Sequence, residues 1–287
     1  MTKEKIFQIV REKMAEDNQE RQALSLRFPV LLPLILGGRR LLNNLINKIN
    51  FKITKNSSKI FFDCVIARHS SPLFRKLGES DPKLQIGKIK NLEIAIKSLQ
   101  GLIIKPGQTF SFWNAIGPTN EKNGYVNGML ISNGWVVEGV GGGLCQLSNL
   151  LYWLFLHLPV EVVERSHHSR DVFPDSGRNI PFGTGATVFY NLIDLKVKNT
   201  FKYPIQLKLW LSDNQLKGQI LSSHFVSEKV HLKEKNHCFI KTPKGVYRYN
   251  EIWRETLVEG QIVREEQILT NCAKVMYKPE TIDLYLD

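Results

Sequence analysis

Apolar residues recur at helical spacing in three stretches of this chain. Leucines and isoleucines follow one another every three or four residues between Arg39 and Ile49, and again between Ile89 and Leu99, where Gly101 ends the pattern. A third stretch runs from about Cys145 to His157, and Pro159 prevents its continuation. The sequence therefore predicts three helices, of which the last follows a run of glycines.

Beyond Val160 the pattern changes almost entirely to that of β-strands. The β-branched or aromatic runs there that predict strands are Val160–Glu164, Thr187–Tyr190, Leu192–Val197, Ile205–Leu211 and Gln219–Leu221. Two earlier strands are predicted, at Thr109–Trp113 and from Trp135. The stretch from Val246 to Leu269 is typical of a hairpin that turns at Glu259–Gly260. The expected fold class is α+β: a mostly antiparallel β core with one helix behind the glycine loop, preceded by a helical N-terminal arm.

Charge and pattern together divide the 287 residues into three parts. Residues 1–60 hold twelve Lys or Arg against five Asp or Glu, a formal excess of +7, and are expected to form a basic helical arm. Residues 61–221 are expected to form the core domain, and residues 222–287 a β-rich extension containing the hairpin.

The formal net charge of +12 favours an anionic neighbour, such as nucleic acid, an acidic membrane surface or an anionic wall polymer. The chain has no zinc-finger spacing, no aromatic and basic RNA-binding strand and no helix-turn-helix pattern, so nucleic acid is not the expected partner. The sequence predicts no oligomeric state.

The apolar run Phe28–Leu36 contains two prolines and is shorter than the ~20 residues that a membrane-spanning helix needs. It also lacks the features of an ordinary secretion signal. Residues 27–50 are compatible with a helix on an anionic membrane surface, and equally with an ordinary helix packed on the domain. The expected location is cytoplasmic or peripheral to a membrane, with action outside the cytoplasm left open.

Four cysteines are present, and their spacing is that of neither a zinc site nor a disulfide scaffold. No metal and no cofactor is predicted. Cys64 lies in an apolar run and is expected to be a small buried residue. Cys238 and Cys272 could pair in an oxidising compartment, and the sequence leaves this open.

Cys145 is the candidate for chemistry because it follows Gly141, Gly142 and Gly143 at the start of the predicted helix. Consecutive glycines allow a close approach of backbone N–H groups to a ligand. A thiol in the first turn of a helix is favoured as the thiolate, so a depressed pKa is expected. The glycine loop, with Leu144 and Gln146, would then hold the oxyanion of a tetrahedral intermediate. The competing interpretation is a glycine-rich turn closed by a buried cysteine.

A cysteine nucleophile needs a base, and the next polar cluster, Arg165–Asp171, follows the strand after the helix. A helix of about twelve residues rises ~18 Å, and a returning strand of five or six residues spans ~17–20 Å. The histidines should therefore reach the level of Cys145. Asp194 is a candidate for orienting the imidazole, although a turn aspartate is an equal alternative.

Substrate recognition is assigned to Ser169, Arg170 and Arg178 in the same region. A guanidinium group binds a carboxylate through two parallel hydrogen bonds, so a substrate with free carboxylates would fit. Two solvated arginines are the alternative.

The order and spacing of several of these segments resemble those of the VanW family. The resemblance extends from about Lys105 to Leu211 and rests on Pro106–Phe112, Gly117–Thr119, Gly124–Tyr125, Gly139–Gln146, His168–Arg170, Ala186–Tyr190 and Asp194. It implies a bacterial cell-wall or glycopeptide-resistance setting. For some members it also implies a cysteine-dependent L,D-transpeptidase activity that crosslinks peptidoglycan stem peptides. Cys145 matches the family's motif cysteine, and His168 its histidine beside Ser-Arg, which selects His168 over His167.

Three hypotheses follow. The first is a cysteine-dependent acyl-transfer enzyme that acts on peptidoglycan or a precursor peptide, with Cys145, His168 and Asp194 as its catalytic residues. The second is a non-catalytic accessory module that binds a peptidoglycan-type carboxylate or a glycopeptide. The third is a membrane-surface interaction protein. Exported members carry a leader or membrane segment, whereas the basic arm here has neither pattern, and this weakens the first hypothesis.

Overall fold

The structure is a computed structural model that describes residues 2–18, 32–74, 82–132, 135–167, 170–172, 174–175, 180–190, 192–212 and 214–286. Its helices are α1 (Lys3–Asn18), α2 (Leu32–Asn50), α3 (Pro82–Leu99), α4 (Phe112–Ile116) and α5 (Leu144–Phe155), with a 3₁₀ turn at Glu121–Asn123. The strands that precede α5 are β1 (Cys64–Pro72), β2 (Ile103–Ile104), β3 (Thr109–Ser111), β4 (Asn127–Ser132) and β5 (Trp135–Val140). The later strands are β6 (Val160–Glu164), β7 (Arg170–Asp171), β8 (Lys196–Asn199), β9 (Ile205–Ser212), β10 (Gln215–Ser222), β11 (Lys229–Thr242), β12 (Gly245–Val258), β13 (Gln261–Val275) and β14 (Leu284–Tyr285).

A four-stranded antiparallel sheet with the order β1-β10-β9-β2 forms the centre of the molecule. Helices α5 and α3 pack against it through one apolar core. On α3 the residues Leu92, Ile96 and Leu99 are buried, as their spacing predicts. The predicted helix after the glycines is confirmed as α5, with its bounds shifted by one or two residues.

The aromatic segment after Gly107 differs from its prediction. The expected strand Thr109–Trp113 ends at Ser111, and Phe112 begins the short helix α4. The reason is a helix cap: the hydroxyl of Ser111 accepts a hydrogen bond from the backbone N–H of Asn114. Strand β3 joins β8 and β6 in a three-stranded antiparallel sheet.

The C-terminal strands β11, β12 and β13 form a long antiparallel meander. Its second turn lies at Glu259–Gly260, where the sequence predicts it, and both residues have positive φ angles (51° and 82°). The short strands β14 and β7 extend this sheet by parallel pairing at its two edges. Since the remaining strand pairs are antiparallel, the α+β fold class is confirmed for the described part of the chain.

The first helix packs on the C-terminal sheet. Ile6 and Val10, four residues apart on one face of α1, are buried against Tyr247 and Tyr249 of β12. Asp17, at the end of the same helix, accepts a hydrogen bond of 3.0 Å from the hydroxyl of Tyr247. The N-terminal helix and the C-terminal sheet therefore share a second, smaller core.

Helix α2 confirms the helical pattern seen between Arg39 and Ile49, and its first turn contains Pro33, a position where proline is tolerated. Within the described residues, no helix has both the length and the apolar character that a membrane crossing requires.

Cys238 and Cys272 do not pair. Each lies opposite Tyr249, on the strands at either side of β12, and all four cysteines are free. Two strand spacings separate the Cα atoms by ~9–10 Å, beyond the ~7 Å that a disulfide can bridge.

Candidate functional site

Cys145 is the second residue of α5. The helix begins after Gly143, which has a φ of 98°, a conformation that glycine adopts without strain. By helix geometry the first N–H groups have no intrahelical acceptor, so this end of α5 carries partial positive charge. The sequence prediction of a cysteine in the first helical turn is correct.

Two glycines of the loop have no room for a side chain. A Cβ atom added to Gly142 would overlap the carbonyl group of Gly128 on β4, and one added to Gly143 would overlap the side chain of Lys88. The amide of Asn91 donates hydrogen bonds of 2.9 Å to the carbonyls of Gly142 and Val126. The close approach that the glycines permit is therefore made to the hairpin β4–β5 and to α3.

Three of the predicted oxyanion donors are already engaged. The N–H of Gly141 donates to the Val126 carbonyl at 3.0 Å, that of Gly142 to the Gly139 carbonyl at 3.1 Å, and that of Gln146 to the Gly143 carbonyl at 3.0 Å. The side chain of Leu144 is buried in the core. Gly143, Cys145 and Gln146 remain at the surface of the cavity described next.

A cavity of about 270 Å³ opens beside the N-terminal turn of α5. The polar and charged side chains that line it are His69, Ser70, Ser71, Lys88, Cys145, Gln146, Asn149, His167, Arg170, Asp171, Thr184 and Thr187. Met129, Leu130 and Phe182 are among its apolar residues.

One wall of the cavity is the segment 180–188, which hydrogen bonds hold against α5. Ser148 donates to the Ala186 carbonyl at 2.6 Å, and Asn149 accepts from the Ala186 N–H at 2.7 Å. The thiol of Cys145 contacts the carbonyl of Val188, with an S···O distance of 3.7 Å. Cys145, Ser148 and Asn149 share one face of the helix, a spacing that could have identified Asn149 from the sequence.

Strand β1 forms another part of the cavity wall. The side-chain amide of Gln146 donates to the hydroxyl of Ser71 at 2.9 Å and to the carbonyl of Pro72 at 2.7 Å. His69, on the same strand, lines the cavity, and its ring lies 5.9 Å from that of Trp153 between centroids. His69 was missed in the sequence because 76 positions separate it from Cys145 and no local pattern marks it.

The cluster that follows β6 contributes His167, which lines the cavity together with His69 and Cys145. Ser166, the preceding residue, pairs with Thr187, whose N–H donates to the Ser166 carbonyl at 2.8 Å. The same wall segment therefore contacts both Cys145 and the backbone beside His167. His168, the predicted base, lies outside the described residues, as do Ser169 and Arg178.

Burial raises the pKa of the Cys145 thiol above its ordinary value of 9.0, and a backbone hydrogen bond at Val188 offsets only part of this effect. The prediction of a depressed pKa is therefore wrong. The helix terminus favours the thiolate, but the loss of hydration on burial outweighs it.

Asp194 lies away from the cavity, at the start of α4. Its carboxylate accepts hydrogen bonds from the Ser111 hydroxyl (2.6 Å), the Trp113 N–H (3.1 Å) and the Leu195 N–H (2.9 Å). Burial raises its pKa to about 6. These contacts are those of a helix-capping and turn residue, the alternative that the sequence left open.

Arg170 lines the cavity from β7, next to Asp171. Asp171 is buried, and its carboxylate accepts from Arg248 at 3.2 Å and from the Tyr277 hydroxyl at 2.8 Å. Arg248 also pairs with Asp175.

The C-terminal sheet supports the segment 180–185 as well. Asn250 and Asn271 are both buried and donate to the carbonyl of Phe182, at 2.9 and 3.3 Å. Gly183 lies against the side chain of Asn271. The C-terminal extension therefore holds two of the segments that line the cavity.

Within the described ranges, no group of three or more His, Cys, Asp or Glu side chains is placed to hold a metal ion.

The fold and the cavity define an α+β domain in which a glycine loop presents a cysteine at a helix start, beside a histidine and an arginine. The family model described as VanW like protein matches residues 87–221. The chain is 32% identical over 225 residues to the vancomycin B-type resistance protein VanW of Enterococcus faecalis (strain ATCC 700802 / V583). The aligned residues are 77% of this chain and 79% of that protein. The chain belongs to the VanW family.

A second relative is the uncharacterized protein YoaR of Bacillus subtilis (strain 168). The two are 30% identical over 118 residues, which are 41% of this chain and 37% of that protein. No solved structure matches the chain significantly.

Proposed function

We propose that this protein is a cysteine-dependent acyl-transfer enzyme that acts on peptidoglycan stem peptides or their precursors in a glycopeptide-resistance setting. The observation that carries the proposal is the cavity beside the positive end of α5, which Cys145, His167 and Arg170 line together. The resistance setting is carried over from the name of the Enterococcus faecalis relative.

The chemistry begins with a neutral thiol, because burial raises the pKa of Cys145. The sulfur attacks a peptide carbonyl carbon as the imidazole of His167 accepts the thiol proton. An S–C bond forms, and the carbonyl oxygen becomes an oxyanion beside the first N–H groups of α5. The C–N bond then breaks, the imidazolium donates its proton to the leaving amine, and a thioester remains on Cys145.

The thioester is released by a second nucleophile. An amine acceptor gives a new peptide crosslink, whereas water gives hydrolysis; in both cases the C–S bond breaks and the thiol is restored. Arg170 supplies a guanidinium for a substrate carboxylate on the same cavity surface.

The test incubates purified protein with muropeptides and identifies products and covalent adducts by mass. We expect a thioester adduct on Cys145 in the wild type and no product from Cys145→Ser, which keeps the size of the side chain. His167→Gln should lower the rate by about 10²–10⁴-fold. His168→Gln and Asp194→Asn should leave most activity, and His224→Gln is a control for an exposed histidine outside the cavity.

Product formation by Cys145→Ser at the wild-type rate would show that Cys145 is not the nucleophile. If His168→Gln is inactive and His167→Gln is active, the base is His168, the residue that the family resemblance selects.

The second candidate is a binding module without turnover, which the raised pKa of Cys145 and its contact with Val188 favour. In this case a peptide with a free terminal carboxylate should bind equally well to wild type and Cys145→Ser. Binding should weaken when that carboxylate is amidated or when Arg170 is replaced by Gln. A wild-type thioester adduct excludes this candidate.

A further inference from the structure

Helix α2 exposes apolar residues where a surface helix normally exposes polar ones. The exposed fractions are 41% for Ile35, 66% for Leu41, 56% for Leu42, 49% for Leu45 and 38% for Ile46. Among the side chains of α2 that the structure describes, Asn47 is the buried one, at 3%. The apolar side of the helix therefore faces away from the domain.

These five residues form one continuous surface. At 100° per residue they fall within an arc of about 140° on the helix. Arg39 is exposed and lies at the edge of this arc. An apolar arc bordered by a basic residue is the arrangement of helices that lie in a membrane interface.

The charge of the surrounding chain selects the partner. Residues 21–62 contain eight Lys or Arg and no Asp or Glu, so this segment has a formal charge of +8. A partner that covers the arc must therefore tolerate or attract positive charge. A second copy of this helix would bring like charges together, whereas an anionic lipid surface offers both acyl chains and phosphates.

The helix is also connected directly to the core. Ile53 pairs with Thr109, and the N–H of Thr54 donates to the Thr109 carbonyl at 3.0 Å. A membrane-bound α2 would therefore hold the whole domain at the surface.

We propose that α2 lies in the interface of an anionic membrane, with the arc of Ile35, Leu41, Leu42, Leu45 and Ile46 in the acyl-chain boundary and the basic residues near the phosphates. The proposal does not depend on the chemistry of Cys145.

Flotation of the full chain with vesicles tests the proposal. Vesicles of phosphatidylcholine alone are compared with vesicles that contain about 30% phosphatidylglycerol, at low and high salt. We expect binding to the anionic vesicles, reduced at high salt. The variant Leu41→Gln/Leu42→Gln should lower the partition by about tenfold or more, and Arg39→Gln by about fivefold.

The matched control is Ile262→Gln/Val263→Gln, which replaces two apolar residues with 55% and 61% exposure on β13. It should bind as the wild type does. Equal binding to neutral vesicles, no binding to either, or unchanged binding by Leu41→Gln/Leu42→Gln would each overturn the proposal. If the protein binds no vesicles but forms concentration-dependent dimers that Leu41→Gln/Leu42→Gln abolishes, the arc is a self-association surface instead.

Discussion

At the scale of single residues, the state of Cys145 is decided by two opposing effects. The helix N-terminus stabilises a negative charge by about 0.3–1 kcal/mol when the charge is exposed and by up to about 2 kcal/mol when it is partly buried. Removing an anion from water costs several kcal/mol. Because the thiol lies beside the Val188 carbonyl in a largely desolvated place, the second effect is larger and the pKa rises.

The raised pKa predicts how Cys145 reacts with an alkylating reagent. Since the thiolate is the reactive form, iodoacetamide labelling should be slow at neutral pH and should still increase as the pH passes 9.0. The measurement is the rate of modification at each cysteine, read by peptide mass between neutral and alkaline pH. Cys64, which is half-buried at the start of β1, serves as an internal reference.

A labelling rate at Cys145 that reaches its plateau below pH 8 would contradict this expectation. Such a result would show that a nearby cation or the helix terminus stabilises the thiolate more than burial disfavours it.

At the scale of elements, the glycine loop is a backbone contact between α5, α3 and the hairpin β4–β5. Gly142 and Gly128 meet without side chains, and Asn91 links the carbonyls of Gly142 and Val126. The loop therefore sets the position of the first turn of α5, and with it the position of Cys145.

The variant Gly142→Ala tests this contact. The added methyl group would overlap the Gly128 carbonyl, so we expect the free energy of unfolding to fall by about 1–3 kcal/mol or more. The measurement is chemical denaturation followed by tryptophan fluorescence.

Gly38→Ala is the control, because a Cβ atom there meets nothing within 4 Å and the residue lies inside α2. It should be neutral or stabilise by up to about 1 kcal/mol through helix propensity. If Gly142→Ala were as stable as Gly38→Ala, the close approach would not constrain the loop.

At the scale of the whole molecule, the cavity depends on residues far apart in the chain. Arg248, Asn250 and Asn271 belong to the C-terminal sheet, beyond the residues 87–221 that match the family model. They hold the segments that contain Asp171 and Phe182. The C-terminal extension is therefore a structural part of the candidate site.

Removing Arg248 should damage both stability and the cavity. Arg248→Ala leaves the buried Asp171 without its guanidinium partner, and breaking such a pair costs about 3–5 kcal/mol. We expect that loss in chemical denaturation, together with faster hydrogen exchange in residues 170–175 and 180–185.

Arg264→Ala is the matched control, since Arg264 is 64% exposed and pairs with Glu266 at the surface. Its effect should stay within about 0.5 kcal/mol. A comparable effect of the two variants would mean that the buried ion pair does not support the site.

The sequence by itself determined two core helices, one hairpin turn and the position of the cysteine. Helical spacing predicted α3 and α5, Pro159 marked the end of the last helix, and Glu259–Gly260 marked a turn, because these patterns depend on local backbone preferences. Those preferences act over a few residues and are readable in one chain.

Tertiary structure decided which residues share the cavity and what burial does to them. His69 and Arg170 share a cavity with Cys145 only through the packing of strands, while Asp194 is bound to Ser111 and the start of α4 instead. The pKa of Cys145 follows from the desolvation that this packing imposes. Contacts between distant segments and the hydration of a side chain are properties of the folded whole, so local patterns do not contain them.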